Sequence, residues 1–276
     1  MQNTRPITLL DTARKFMTKI MYRRLSQILR DHKVLTGGNF AGLPGDSVDP
    51  PIATLEALLS DARYHQKPLF IFQQDISKAF DSIDPNMLRL AMARLAIPRS
   101  FIDLTLQLFT NRYNTIITAF GHTSPYKVQI GIDQGEVISP LLWVIYIDPL
   151  LTALNASNTA PYVIDTDPTL PPVTTSTLGY MDDTNLIASS TDGIINMLQV
   201  AQEFYDMNNT KINFSKAVFV CNRDPTHNCK LLPRDPIPFT FPIGSSPFTL
   251  TPIKESDSFR FLGVWFSLST RSTFVK

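Results

Sequence analysis

The chain has 276 residues, 43% of them hydrophobic and 18% charged, enough to bury one large core or two small ones. Its 25 Lys and Arg nearly balance 24 Asp and Glu, so net charge argues neither for nor against nucleic acid and only its distribution can. Two cysteines, Cys221 and Cys229, exclude a disulfide scaffold.

Basic residues crowd the N-terminal end: Arg5, Arg14, Lys15, Lys19, Arg23, Arg24, Arg30 and Lys33, opposed only by Asp11 and Asp31. "DTARKFMTKIMYRRLSQILRDH" spaces Phe16, Ile20, Leu25, Ile28 and Leu29 between them, which predicts an amphipathic helix with a basic face. A solvated face and an RNA contact read equally well there. "PPIATLEALLSDARYH" predicts a second helix with Pro50 and Pro51 at its start. "PLFIFQQDIS" reads as a strand ending on an aspartate, and Asp84-Pro85 as a cap and first position opening the next helix. Pro98 starts another helix, through about Phe109. "NTIITAF" and "SPYKVQI" flank Gly121 as two strands around a turn.

"SPLLWVIYIDPLLTAL" is apolar on most faces and predicts a buried helix, interrupted by Asp148-Pro149 and too short to span a membrane. Nothing at the start reads as a signal peptide. The expectation is a soluble intracellular protein of the cytoplasm, the nucleus or both, with no membrane partner. Residues 155–177 are polar and proline-rich, a surface insertion. Thr191 can cap "DGIINMLQVAQEFYDMN", with Ile194, Leu198, Ala201 and Tyr205 along one face. "KAVFVC" and "FRFLGVWFS" read as strands, while "PRDPIPFTFPIGSSPF" holds too many prolines for a central one. "CNRDPTHNC" offers only three zinc ligands at a spacing no common finger uses, and reads as a surface loop. Mixed strands and helices without strict alternation give an α+β class.

The chemistry concentrates in "LGYMDDTNLIASS". Asp182 and Asp183 sit where a hairpin should turn, and adjacent like charges there need compensation. Asp75 ends another strand. Should the two segments pair in one sheet, the carboxylates converge at one edge. Hard oxygen ligands on a strand end suit Mg²⁺, and two such ions would serve phosphoryl chemistry.

The surrounding segments resemble the reverse transcriptase domain of non-LTR retrotransposons. "RPITLLDTARKFMTKIMYRRL" is similar to that family's first fingers block, "FQQDISKAFDSID" to its first palm block and "GIDQGEVISPLLWVIYIDPLL" to its Gln-Gly block. "YMDD" resembles the catalytic turn; "YDMNNTKINFSKAVFV" and "FRFLGVWFS" resemble the later Lys and Leu-Gly blocks, in the same order. The resemblance implies a right-hand polymerase of palm and fingers with the thumb absent. Residues 1–68 would be mostly fingers, 69–94 palm, 95–130 the fingers–palm connection, 131–221 palm, and 222–276 a loop and primer-grip region. It implies RNA-directed DNA synthesis from an RNA template, a DNA primer and deoxynucleoside triphosphates, with two Mg²⁺ ions or Mn²⁺ in their place.

By matched position, Asp75 and Asp182 are implied as main metal ligands, Asp183 as the third carboxylate and Lys216 as the acid that protonates pyrophosphate. Phe80 is implied as a gate against a 2′-hydroxyl. Gln134 and Gly135 would lie beside the nascent base pair, and Tyr180 and Met181 would brace primer and template. Arg5 would meet the triphosphate, and Leu262 and Gly263 would belong to the primer grip. Asp133 and Glu136 depart from the family, which favours a basic residue before Gln-Gly and a small one after. Two acids there should weaken phosphate binding unless they point away. The alternative reading is a truncated, catalytically inactive RNA-binding remnant. A polymerase that makes RNA stays open as a third, with Phe80 the discriminating residue.

Overall fold

A computed structural model describes residues 7–164, 169, 171–244 and 247–269. In chain order the helices are α1 (Thr12–Asp31), α2 (Asp49–Tyr64), α3 (Pro85–Arg94), α4 (Arg99–Gln107), α5 (Ser139–Ser157) and α6 (Thr191–Met207). The first eight strands are β1 (Phe70–Gln74), β2 (Arg112–Asn114), β3 (Ile117–Thr118), β4 (Gly121–His122), β5 (Tyr126–Val128), β6 (Tyr162–Ile164), β7 (Val173–Thr175) and β8 (Thr177–Tyr180). There follow β9 (Asp183–Ala188), β10 (Val218–Cys221), β11 (Arg223–Asp224), β12 (His227–Leu231), β13 (Phe239–Phe241), β14 (Phe248–Leu250), β15 (Ser258–Phe261) and β16 (Val264–Ser267). They group into two compact units that interleave along the chain. The first takes residues up to 35, 42–44 and 78–149; the second takes 36–41, 45–77 and those from 150 onward.

In the first unit, Asp11 caps α1 by accepting from the backbone N–H of Ala13 at 2.8 Å. The buried stripe of α1 is Thr18, Met21, Leu25, Ser26 and Leu29. Phe16, Ile20 and Ile28, read from the sequence as part of the core face, are instead 67%, 40% and 54% exposed. Asp84 caps α3 as expected, accepting from Asn86 N at 2.7 Å and Met87 N at 3.2 Å. Segments 112–114 and 126–128 pair as a hairpin, inside which β3 meets β4. The apolar α5 has the length and composition to cross a membrane, contrary to the sequence reading of its length. Its Leu141, Leu142, Trp143, Val144, Ile145 and Ile147 are nonetheless at most 1% exposed, as in the core helix of a folded domain.

The second unit is built on an antiparallel sheet of order β10-β1-β9-β8. Side chains alternate across it. Ile71, Ile187 and Val220 face α2 and the β15–β16 hairpin, in one cluster with Leu55, Leu58, Leu59, Phe259, Phe261 and Phe266. On the opposite face Phe72 and Phe219 meet Phe241 edge-on, at 5.6 and 5.0 Å between ring centroids. The proline-rich β13–β14 hairpin therefore packs by aromatic rings without joining the central sheet.

Four expectations need correction here. Ser190, rather than Thr191, caps α6, accepting from Gly193 N at 3.1 Å; the Thr191 hydroxyl instead donates to Asn228 at 2.7 Å. "FRFLGVWFS" is a hairpin turning at Leu262-Gly263. Both turn residues have positive φ, 49° and 88°. That is the conformation of a type I′ turn, whose twist matches the flanking strands. The supposed surface insertion contains the β6–β7 hairpin, and its Tyr162 is 1% exposed, with its hydroxyl donating to Asp61 at 2.7 Å. Residues 223–231 form the β11–β12 hairpin, with Cys221 buried in β10 and Cys229 exposed.

Candidate active site

The register of the second unit's sheet decides where its acids lie. β1 and β9 pair from Phe70↔Ala188 to Gln74↔Thr184. Asp75 directly follows Gln74 and Asp183 directly precedes Thr184, so both stand just past that last pair. β8 and β9 form a hairpin whose last pair is Tyr180↔Asp183, so Met181 and Asp182 are its two-residue turn. Asp75, Asp182 and Asp183 thus gather at one end of the sheet. Asp75 and Asp182 are half-buried and Asp183 is exposed. Gln73, two residues before Asp75, donates its amide N–H to Arg260 O at 3.0 Å. The β15–β16 hairpin, with Leu262 and Gly263 at its turn, therefore packs on the sheet face that carries Ile71 and Gln73.

Lys216 comes to this edge as well. Its ammonium lies 3.1 Å from Asp75 Oδ2 and is 59% exposed. A pair so exposed adds little to stability. Asn213, which the sequence reading passed over, donates its side-chain N–H to the same Oδ2 at 3.2 Å and its backbone N–H to Asp75 O at 2.8 Å. A second asparagine missed by that reading, Asn39, holds the turn: Nδ2 donates to Met181 O and Met181 N donates to Oδ1, each at 3.2 Å. Neither asparagine carries a local signal in the sequence, because each acts on a distant segment.

The donor set fits a hard divalent cation. Its three carboxylates lie at one end of the sheet, with the Lys216 ammonium beside Asp75. Among the described residues no group of three or more His, Cys, Asp or Glu side chains is placed to hold a metal ion. An ion that keeps water and substrate phosphates in its shell does not need a protein-only cage.

The remaining candidates belong to the first unit. Phe80 opens a short 3₁₀ turn, its ring half-exposed and resting on the buried Trp143 at 5.9 Å between centroids. The Gly131 and Ile132 N–H groups donate to Ile83 O and Phe80 O at 2.8 and 2.9 Å. Gly131 has φ 86°, and a Cβ there would lie 2.8 Å from Asp81 backbone atoms. Gln134 is half-buried, and its carbonyl accepts from Thr8 N at 3.0 Å. Gly135 is exposed, with φ 106°.

Asp133 and Glu136 take the exception that the sequence leaves open for them. They are 5% and 2% exposed and point into the unit. Arg14 bridges them, at 3.1 Å to Asp133 and 2.7 Å to Glu136. Arg112 also pairs with Asp133, and the Thr18 hydroxyl donates to Glu136 at 2.6 Å. Both guanidinium groups lie over the Phe109 ring, at 5.8 and 5.7 Å. The acids are neutralised within the protein. Arg5 lies outside the described residues.

Comparison with known proteins fits this arrangement. The family model described as reverse transcriptase (RNA-dependent DNA polymerase) matches residues 1–266. The chain belongs to the reverse transcriptase family. Among its relatives is the retrovirus-related Pol polyprotein from the type-1 retrotransposable element R2 of Popillia japonica, 24% identical over 97% of this chain and 35% of that protein. Another, from the type-2 element R2DM of Drosophila melanogaster, is 24% identical over 83% of this chain and 20% of that one. The chain therefore spans about a third or less of these relatives, and it is a reverse transcriptase domain of the non-LTR type. Its fold is also similar to telomerase of Candida tropicalis in complex with a TWJ fragment of telomeric RNA. That match has a TM-score of 0.57 at 12% identity, over 94% of this chain and 37% of the other. An apo telomerase of the same organism, truncated from its C-terminal domain, gives 0.55 at 12% identity, over 94% and 45%. Reverse transcriptases as a family use divalent metal ions.

Proposed function

We propose that the chain is an RNA-directed DNA polymerase that extends a DNA primer on an RNA template with deoxynucleoside triphosphates. The observation that carries this reading is the convergence of Asp75, Asp182 and Asp183 at one sheet end in a chain of this family. Asp75 and Asp182 would be the main ligands of two Mg²⁺ ions, or of Mn²⁺ in their place, with Asp183 as the third carboxylate. Bound there, the ions supply activation of the primer hydroxyl and neutralisation of the departing pyrophosphate. Lys216 would hold, at Nζ, the proton that pyrophosphate takes as it leaves. Phe80 would meet the incoming sugar with its open ring face, since Trp143 backs the other side. Gln134 and Gly135 would lie beside the nascent base pair, where the glycine lets backbone approach closely. Tyr180 and Met181 would brace the primer end and template, Leu262 and Gly263 would grip the primer, and Arg5 would meet the triphosphate.

Residues 69–94 and 131–221 would then be palm, 1–68 mostly fingers, 95–130 the connection between them, and 222–276 a loop and primer-grip region. The inactive-remnant reading loses one of its motives, because Asp133 and Glu136 are paired inside the protein and do not repel phosphate. Both cysteines are free thiols, which fits work in the reducing interior of a cell, in cytoplasm or nucleus. The test is primer extension with RNA template, DNA primer, deoxynucleotides and Mg²⁺. Synthesis that disappears in Asp182→Ala supports the reading; equal synthesis by that variant overturns it.

A further inference from the structure

The turn that carries Asp182 is built on an awkward residue. Met181, first of the two turn positions, has φ 54°. That is a left-handed conformation which glycine or asparagine tolerates and a long side chain resists. Something outside the hairpin must hold it.

Asn39, 142 residues earlier in the chain, supplies that hold. Its carboxamide meets the Met181 peptide on both sides, donating Nδ2–H to the carbonyl and accepting the N–H at Oδ1, each at 3.2 Å. This is the pair of bonds a neighbouring strand would make. Oδ1 also accepts from Ala41 N at 3.1 Å, so the amide has one orientation: rotated by half a turn, its NH₂ would face two N–H donors. The adjoining backbone adds Phe40 N donating to Gly179 O at 2.8 Å. Alanine or serine would be too short for both bonds. Aspartate would set a lone pair against the Met181 carbonyl and a further negative charge beside Asp182.

We propose that Asn39 is a positioning residue for the acidic turn: its amide fixes the Met181 backbone and thereby aims Asp182 and Asp183 toward Asp75. This rests on the polymerase reading for its consequence but not for its geometry. Without the clamp Met181 relaxes toward negative φ and carries Asp182 with it. A misplacement of about 1 Å in such a centre can cost on the order of a hundredfold in rate.

Two measurements on the 276-residue chain test the clamp separately from the reading. Hydrogen exchange of residues 178–186 should show the Met181 amide exchanging about tenfold or more faster in Asn39→Ala, with residues 70–74 unchanged. Primer extension by that variant should show kcat down about tenfold or more and the Mg²⁺ requirement raised, with KM for primer-template held within about twofold. Unchanged exchange overturns the clamp. Faster exchange with unmoved kcat and Mg²⁺ requirement overturns its positioning role. A wild-type chain that extends no primer overturns the polymerase reading, while exchange still decides the clamp. Should Asn39→Ala unfold, seen as lost protection throughout the sheet, the isosteric Asn39→Asp decides: reduced extension with a raised Mg²⁺ requirement supports the role, and wild-type extension overturns it.

Discussion

Asn213 grips Asp75 twice, by its side-chain N–H on Oδ2 at 3.2 Å and by its backbone N–H on the carbonyl at 2.8 Å. The backbone bond survives any substitution other than proline, so the side-chain bond can be tested alone. Asn213→Ala should keep the fold, with a loss of about 1 kcal/mol, and should lower extension about tenfold as Asp75 gains freedom. Urea denaturation beside single-turnover extension separates the two effects.

Arg14 presents the opposite case, a structural pair with no part in the proposed chemistry. Truncating it would leave Glu136 and Asp133 buried without their shared cation, although Arg112 still pairs with Asp133. Breaking a buried pair from one side costs about 3–5 kcal/mol. Arg14→Ala should therefore unfold at distinctly lower denaturant, and Glu136→Gln in the same chain should recover part of the loss. Circular dichroism of the single and double variants measures it.

Gly131 should tolerate no side chain. The added Cβ of Gly131→Ala would meet Asp81 backbone at 2.8 Å, and φ 86° would be strained besides. The expected cost is about 1–3 kcal/mol from backbone strain alone, with the Phe80 turn displaced. A lowered melting temperature, with more ribonucleotide incorporated in extension assays, is the expected signature.

Stability should fall in alkali. Burial pushes the Cys221 thiol up to about 12 and, with a smaller effect from the Asp84 charge, the Tyr146 phenol up to about 12. Both groups stay protonated in the folded chain at a pH where the unfolded chain releases them. Their contribution is present in full below the unfolded value of 9.0 for the thiol and is lost as pH rises toward 12. Urea midpoints should decline from pH 9 upward, less steeply in Cys221→Ala. At neutral pH a thiol reagent should react fast with exposed Cys229 alone.

Much of this was legible from the chain itself. The alternating "LGYMDDTNLIASS" becomes a hairpin, and Asp84-Pro85 opens a helix, because in both the signal and the structure are local. The errors share a different cause. On α1, Thr18 and Ser26 take core positions that Phe16 and Ile20 were expected to fill, since the Thr18 hydroxyl donates to Glu136 and that of Ser26 bonds back to Arg23 O of its own helix. Tyr162 sits in a polar, proline-rich stretch yet is buried because Asp61, 101 residues away, accepts its hydroxyl. Asn39, Asn213 and the inward turn of Asp133 likewise depend on partners that no window of sequence contains.

The most direct test is single-turnover extension by Asp75→Asn, Asp182→Asn and the double variant on an RNA template. Residues that act as one unit lose their function together. Each single change should cut the rate by about a thousandfold or more, and the double variant should be no slower than the worse single. Synthesis at the wild-type rate by either single variant, or losses that simply multiply, would contradict a shared centre.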